Sequence, residues 1–236
     1  MKSIEKLNKF AKLNDFIADR VFHLSGEGAF EVLAQARKLE KIGQKIIHLE
    51  IGEPDFDTPE NVKNKAIQAI QDGHTYYVPS SGIDELKEAV SSYMKKTRGV
   101  KVDPEEVVIT PGAKPVIFLS FLMLLQPGDE VIYPNPGFPA YRSIIEFAGA
   151  KAVPLPLLEE NEFRVDINEL KGLITSKTKM LILNSPHNPT GSRLLAEDLE
   201  AITEVVNDAD IMVFTDEVYS EIVYDGDHVS IIQYPG

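Results

Sequence analysis

From Glu106 to the end of the chain, short apolar runs alternate with stretches of helical periodicity. The runs are Val107–Thr110, Glu130–Tyr133, Ala152–Leu157, Met180–Asn184 and Ile211–Thr215. Between them, Pro115–Leu125, Ala140–Phe147, Asn168–Ile174 and Ala196–Asn207 read as helices. Strands joined through helices lie parallel, and a parallel sheet is covered on both faces. The alternation therefore predicts an α/β fold: a mostly parallel sheet with helices on both faces.

The region before Glu106 is mixed. Helices are expected at Phe30–Ile42, ended by Gly43, and at Asn61–Gln71, closed by Gly73. A third lies in "SGIDELKEAVSSYMKKTRG", with Asp84 to Glu88 early and Lys95, Lys96 and Arg98 late, the charge order that suits a helix dipole. "KIIHLEIGEPDFDTP" reads as a strand followed by a turn rich in Pro, Gly and Asp. In Met1–Leu24, the residues Leu7, Phe10, Leu13, Ile17 and Val21 fall close to a helical period and predict an amphipathic helix. Charged residues interrupt that segment, so it lacks the apolar core of a secretion signal. The longest apolar stretch, "VIFLSFLMLL" from Val116 to Leu125, suits a buried helix and is too short to span a bilayer. A cytoplasmic protein is expected.

Composition removes several kinds of chemistry. The net charge is −13, which argues against a nucleic-acid footprint and against an anionic membrane surface. There are no cysteines, hence no disulfides, no thiolate nucleophile and no Cys-ligated metal. The histidines, His23, His48, His74, His187 and His228, have no metal-ligand spacing.

Unusual residues gather where apolar runs end, and in open α/β sheets ligands bind at the carboxyl ends of strands. In "VVITPGAKPVIF" a strand gives way to Pro111 and Gly112, and a helix starts around Ala113 to Pro115. The amides of Ala113 and Lys114 would then project from the helix end and suit a phosphate; an ordinary turn without a ligand is the alternative. "YPNPGFPAY" is a stiff loop that presents Phe138, either to stack on a planar ring or to plug the core. "NSPHNPTGS" follows a buried run with Asx-type turns, and Asn188 is its best-placed donor. "TDEVY" puts Asp216 at a strand end, where it could pair with a protonated ring nitrogen, with Tyr219 nearby.

Five segments in order carry a resemblance: "GEPDFDTP" at 52–59, "YYVPSSGIDELKEAV" at 76–90, "TPGAK" at 110–114, "NSPHNPTG" at 184–191 and "TDEVYSEIVY" at 215–224. Together the sequence resembles the class I aminotransferases, fold-type I enzymes that use pyridoxal 5′-phosphate, and within them an aspartate-aminotransferase-like subgroup. The resemblance implies the major domain of that fold, incomplete at its C-terminus. It divides the chain into an N-terminal helical extension at 1–25, an arm and part of a small domain at 26–75, and a large cofactor-binding domain at 76–236. Gly112, Ala113 and Lys114 would hold the cofactor phosphate, mainly through backbone amides. Phe138 would stack on the ring, Asn188 and Tyr219 would bond its hydroxyl oxygen, and Asp216 would pair with its nitrogen. Gly52, Phe138 and Asn188 would meet the substrate. Tyr77 would reach the phosphate of a neighbouring subunit in a homodimer. The reaction implied moves an amino group between an amino acid and a 2-oxo acid.

Two features depart from the family's pattern. Residues 1 to about 25 extend beyond its usual start. The Schiff-base lysine belongs beyond "TDEVY", yet there is no lysine after Lys179 and no arginine after Arg193. The chain is therefore expected to be an N-terminal portion, inactive by itself. Another fold-type I enzyme, a lyase or racemase, would carry the same cofactor residues. A non-catalytic degenerate homologue would fit the missing lysine.

Overall fold

The computed structural model describes residues 16–24, 26 and 28–236. Four of the apolar runs become strands: β1 (Glu130–Asn135), β2 (Lys151–Pro156), β3 (Thr178–Asn184) and β4 (Met212–Asp216). All pair in parallel, in the order β2-β1-β3-β4. The helices are α1 (Gly28–Glu40), α2 (Glu60–Gln71), α3 (Asp84–Arg98), α4 (Ala113–Leu124), α5 (Ala140–Phe147), α6 (Ile167–Leu173) and α7 (Ala196–Ala209). The expected α/β architecture is thus the observed one.

Side chains on a strand alternate between faces, and here each face has its own core. Ile132, Val153, Leu155, Leu181 and Leu183 pack with Leu170 of α6 and with Leu199, Ile202 and Val206 of α7. Val131, Met180 and Ile182 pack with Ile117 and Phe121 of α4 and with Tyr141, Ile144 and Ile145 of α5. Burial on both faces explains why β3 reads as an unbroken apolar run, Met180 to Leu183. From the centre of the sheet, β1 leads through α5 outward to β2, whereas β3 leads through α7 outward to β4. The order in which strands are added thus reverses between β1 and β3, while all four strands stay parallel. The crevice beyond their carboxyl ends is the topological switch point where open sheets bind ligands.

The chain divides into two compact units: Gly26–Ser91 with Asp103–Ile109, and the remainder, which holds the sheet. In the smaller unit, buried Lys87 pairs with Glu105 at 3.0 Å and Asp84 at 3.5 Å. His48 lies between Glu40 at 2.9 Å and Glu50 at 2.6 Å.

Two expected strands do not form. Val107–Thr110 is extended but joins no ladder; the amide of Ile109 donates to the carbonyl of Ser81 at 2.9 Å. The segment after Lys45 is also unpaired, and Ile47 and Leu49 are exposed. An apolar run becomes a strand only where a partner supplies the other half of its hydrogen bonds. Of the predicted N-terminal helix, Leu7, Phe10 and Leu13 lie outside the described residues, and Asp19–His23 forms a short 3-10 turn.

Candidate active site

The loop before α4 is shaped by Gly112, whose φ of 90° is a conformation side chains resist. Its amide donates to the carbonyl of Thr110 at 2.8 Å, and the Thr110 hydroxyl donates to its carbonyl at 2.6 Å. The turn is closed on itself, and α4 starts at the next residue, Ala113. First-turn amides of a helix project beyond its end, where the helix dipole favours an anion. The Lys114 ammonium lies 5.9 Å from the centre of the Phe138 ring.

Phe138 reaches that place because the loop after β1 doubles back tightly. A Cβ at Gly137 would collide with the carbonyl oxygen of Pro134, so only glycine fits. The Phe138 ring meets the Tyr141 ring edge-on, with centroids 5.6 Å apart and planes at 80°. Tyr141 is fully buried, and its hydroxyl donates to Asp216 Oδ2 at 2.7 Å. Burial, and then the negative charge of Asp216, push the Tyr141 hydroxyl far above the usual phenol range. It therefore remains a donor. The other carboxylate oxygen, Oδ1, accepts from the Val218 amide at 3.3 Å. Both oxygens are tethered, which fixes the carboxylate plane, and each keeps a lone pair for another donor.

The loop after β3 is organised by Asn184, whose side-chain oxygen accepts from the amide of Asn188 at 2.8 Å. Beyond β4, the amides of Ser220 and Ile222 donate to the carbonyls of Glu217 and Tyr219, and these bonds coil the turn that carries Tyr219. Glu217 anchors the turn from below. It accepts from Arg98 Nη2 at 3.1 Å and lies 2.9 Å from His228 Nε2, with the Ser230 hydroxyl a third partner. Burial pushes the Glu217 carboxyl up, but His228, Ser230 and Arg98 together hold it below the usual carboxylate range. The two acids of "TDEVY" thus divide their work: Asp216 faces the crevice and Glu217 fastens the turn.

A cavity of about 180 Å³ collects these groups: Ala113, Lys114, Phe138, Asn188, Asp216 and Tyr219 all line it. A larger cavity of about 630 Å³ adjoins it at Asn188 and Tyr219, with Arg164, His187 and Arg193 in its wall. Neither Asp216 nor the α4 end reaches that second space, so the smaller one is the candidate site. Gly52 and Tyr77 belong to the other compact unit, and both are exposed. Among the described residues, no group of His, Asp and Glu could hold a metal ion. No helix among them is long and apolar enough to cross a membrane.

Sequence reasoning did not find Tyr141, Asn184 or Glu217 as parts of this site. Tyr141 carries no local signal, since it meets Asp216 across 75 positions. Asn184 stands at the head of the loop after β3, and its position directly after an apolar run was the available clue.

Residues 44–234 match the family model described as aminotransferase class I and II. Aspartate aminotransferase of Pyrococcus horikoshii is 42% identical over 220 residues, which is 93% of this chain and 55% of that protein. Aromatic-amino-acid aminotransferase 2 of Thermococcus litoralis is 44% identical over 197 residues, 82% of this chain and 51% of that protein. The solved structure of aspartate aminotransferase from Thermus thermophilus with maleate superimposes with a TM-score of 0.89 at 38% identity, covering 92% of this chain and 57% of that one. The chain spans about half the length of the curated relatives it matches.

Proposed function

The chain belongs to the aminotransferase class I and II family, and on that premise we propose that it forms the cofactor-holding part of a pyridoxal-phosphate-dependent aminotransferase. The whole enzyme would move an amino group between an amino acid and a 2-oxo acid. The supporting observation is that a helix end, an aromatic ring, an amide, a phenol and a carboxylate line one cavity. These groups fit the cofactor's chemistry: an anion acceptor for a phosphate, a flat face for a ring, and a tethered carboxylate for a ring nitrogen. When bound, pyridoxal phosphate supplies a protonated pyridine that draws electron density from the bond broken at the substrate Cα.

The chain's own residues have distinct tasks. The amides of Ala113 and Lys114 would hold the phosphate, with Gly112 setting their direction. Phe138 would cover one face of the ring and exclude water from it. Asn188 and Tyr219 would bond the ring hydroxyl oxygen. Asp216 would hold the proton on the ring nitrogen, and Tyr141 would keep the carboxylate turned toward it. Gly52 would offer its amide to the substrate carboxylate. Tyr77 would serve the phosphate of a second subunit, and its full exposure supports that. Its sequence neighbours Tyr76 and Val78 are exposed as well, apolar side chains suited to burial in a homodimer.

Titration of the chain with pyridoxal phosphate, followed by absorbance, tests the proposal. Saturable binding is expected, and Gly112→Val should abolish it by altering the turn. Absence of saturation, or equal binding by the variant, would count against it.

A further inference from the structure

We propose that Asn184 is a positioning residue that locks the Asn188 loop and the Asp216 strand end into one rigid wall of the cavity. Its ligand arm rests on the pyridoxal-phosphate reading above; its structural arm does not. Asn184 is the last residue of β3 and pairs in register with Asp216, the last residue of β4. Its side chain is buried and lines the cavity. Its Oδ1 accepts from the amide of Asn188 at 2.8 Å. Its Nδ2 donates to the carbonyl of Asp216 at 3.0 Å, with the carbonyl of Pro186 at 3.4 Å. One amide group thus bridges the backbones of Asn188 and Asp216, two of the residues that present polar side chains to the cavity.

The position demands a carboxamide. The bridge needs an acceptor toward Asn188 and a donor toward Asp216, and a neutral amide carries both. An aspartate there would turn a second carboxylate oxygen toward two carbonyl oxygens unless it held a proton. A protonated aspartate restores the donor. Substitution by aspartate therefore converts a fixed bridge into one that forms only at low pH, whereas alanine removes it at every pH. Burial and the facing carbonyls disfavour the carboxylate form, so the folded pKa of an aspartate there lies above its ordinary value.

Asn184→Asp and Asn184→Ala in the full 236-residue chain test this. Without cofactor, amide NMR of Asn184→Ala should show the Asn188 and Glu217 signals shifting together. Asn188 loses its acceptor, and Glu217 shares its peptide group with the Asp216 carbonyl. A shift confined to Asn188 would overturn the bridge. With pyridoxal phosphate as probe, Asn184→Ala should bind about tenfold more weakly than wild type at all pH values, the loss of roughly one hydrogen bond. Asn184→Asp should match that loss at pH 8 and approach wild type as pH falls toward 5. Variants that melt earlier but bind as wild type would overturn the positioning role. Absence of binding by wild type itself would overturn the cofactor reading and this ligand arm, leaving the bridge to be judged by the NMR arm.

Discussion

Asp216→Ala separates the folding role of this carboxylate from its role toward a ligand. The change leaves the Tyr141 hydroxyl, which is fully buried, without an acceptor. An orphaned buried hydroxyl costs about 1–3 kcal/mol. In a chain of this length that lowers the melting temperature by roughly 2–4 °C for each kcal/mol. Tyr141→Phe alone should cost less, about 0.5–1.5 kcal/mol, because Asp216 faces the cavity and water replaces the lost donor. The double variant, Tyr141→Phe with Asp216→Ala, has no orphan and should recover much of the loss. A coupling energy of about 1–2 kcal/mol is expected from urea unfolding of the three variants and wild type. Cofactor affinity should behave differently. A charge-assisted bond from ring nitrogen to carboxylate is worth about 1.5–3 kcal/mol, so Asp216→Ala should weaken pyridoxal phosphate binding roughly tenfold to a hundredfold. The double variant should bind no better, since the carboxylate stays absent. Additive stabilities would refute the Tyr141–Asp216 bond, and unchanged affinity would refute the ring-nitrogen role.

Lys114→Ala should retain most of the cofactor affinity, because the backbone amides of the α4 end survive; a loss as large as that of Gly112→Val would show that the side chain, not the turn, holds the phosphate. Glu217, held below the ordinary carboxylate value, contributes stability above that value, and the contribution is lost as pH falls through the depressed folded value. Melting temperatures of Glu217→Gln should therefore lie below wild type at neutral pH and converge with it below about pH 4.3; a constant difference would refute the charge network. Residues 1–236 alone should show no transamination and, after borohydride reduction with pyridoxal phosphate, no stoichiometric adduct at one lysine; turnover with a single mapped adduct would mean that a lysine of this chain takes the reactive role. Sedimentation should find a dimer or larger in the complete protein, and monomer alone at micromolar concentration would contradict the homodimer proposal.

The alternation of apolar runs and helical stretches determined the α/β class, because period and length are local properties of a chain. Gly112, Phe138, Asn188 and Asp216 were legible as unusual residues because each stands just past a run or a turn signal: Gly112 directly precedes a helix, Asp216 ends a strand, and Phe138 and Asn188 lie in the loops that follow β1 and β3. Strand order was not legible. Pairing β1 with both β2 and β3, and β3 with β4, depends on contacts far apart in sequence that no local pattern encodes. For the same reason, Val107–Thr110 has the composition of a strand and lacks the partner that would make it one. The Asn184 bond to Asn188 is local to one loop, but the meeting of Tyr141 with Asp216 and the Asn184 bond to the Asp216 carbonyl exist only once the packed sheet brings distant segments side by side. The sequence by itself determined which chemistry is present at the strand ends. Tertiary structure decided which groups touch, because a hydrogen bond forms within about 3 Å and only the packed sheet sets distances on that scale.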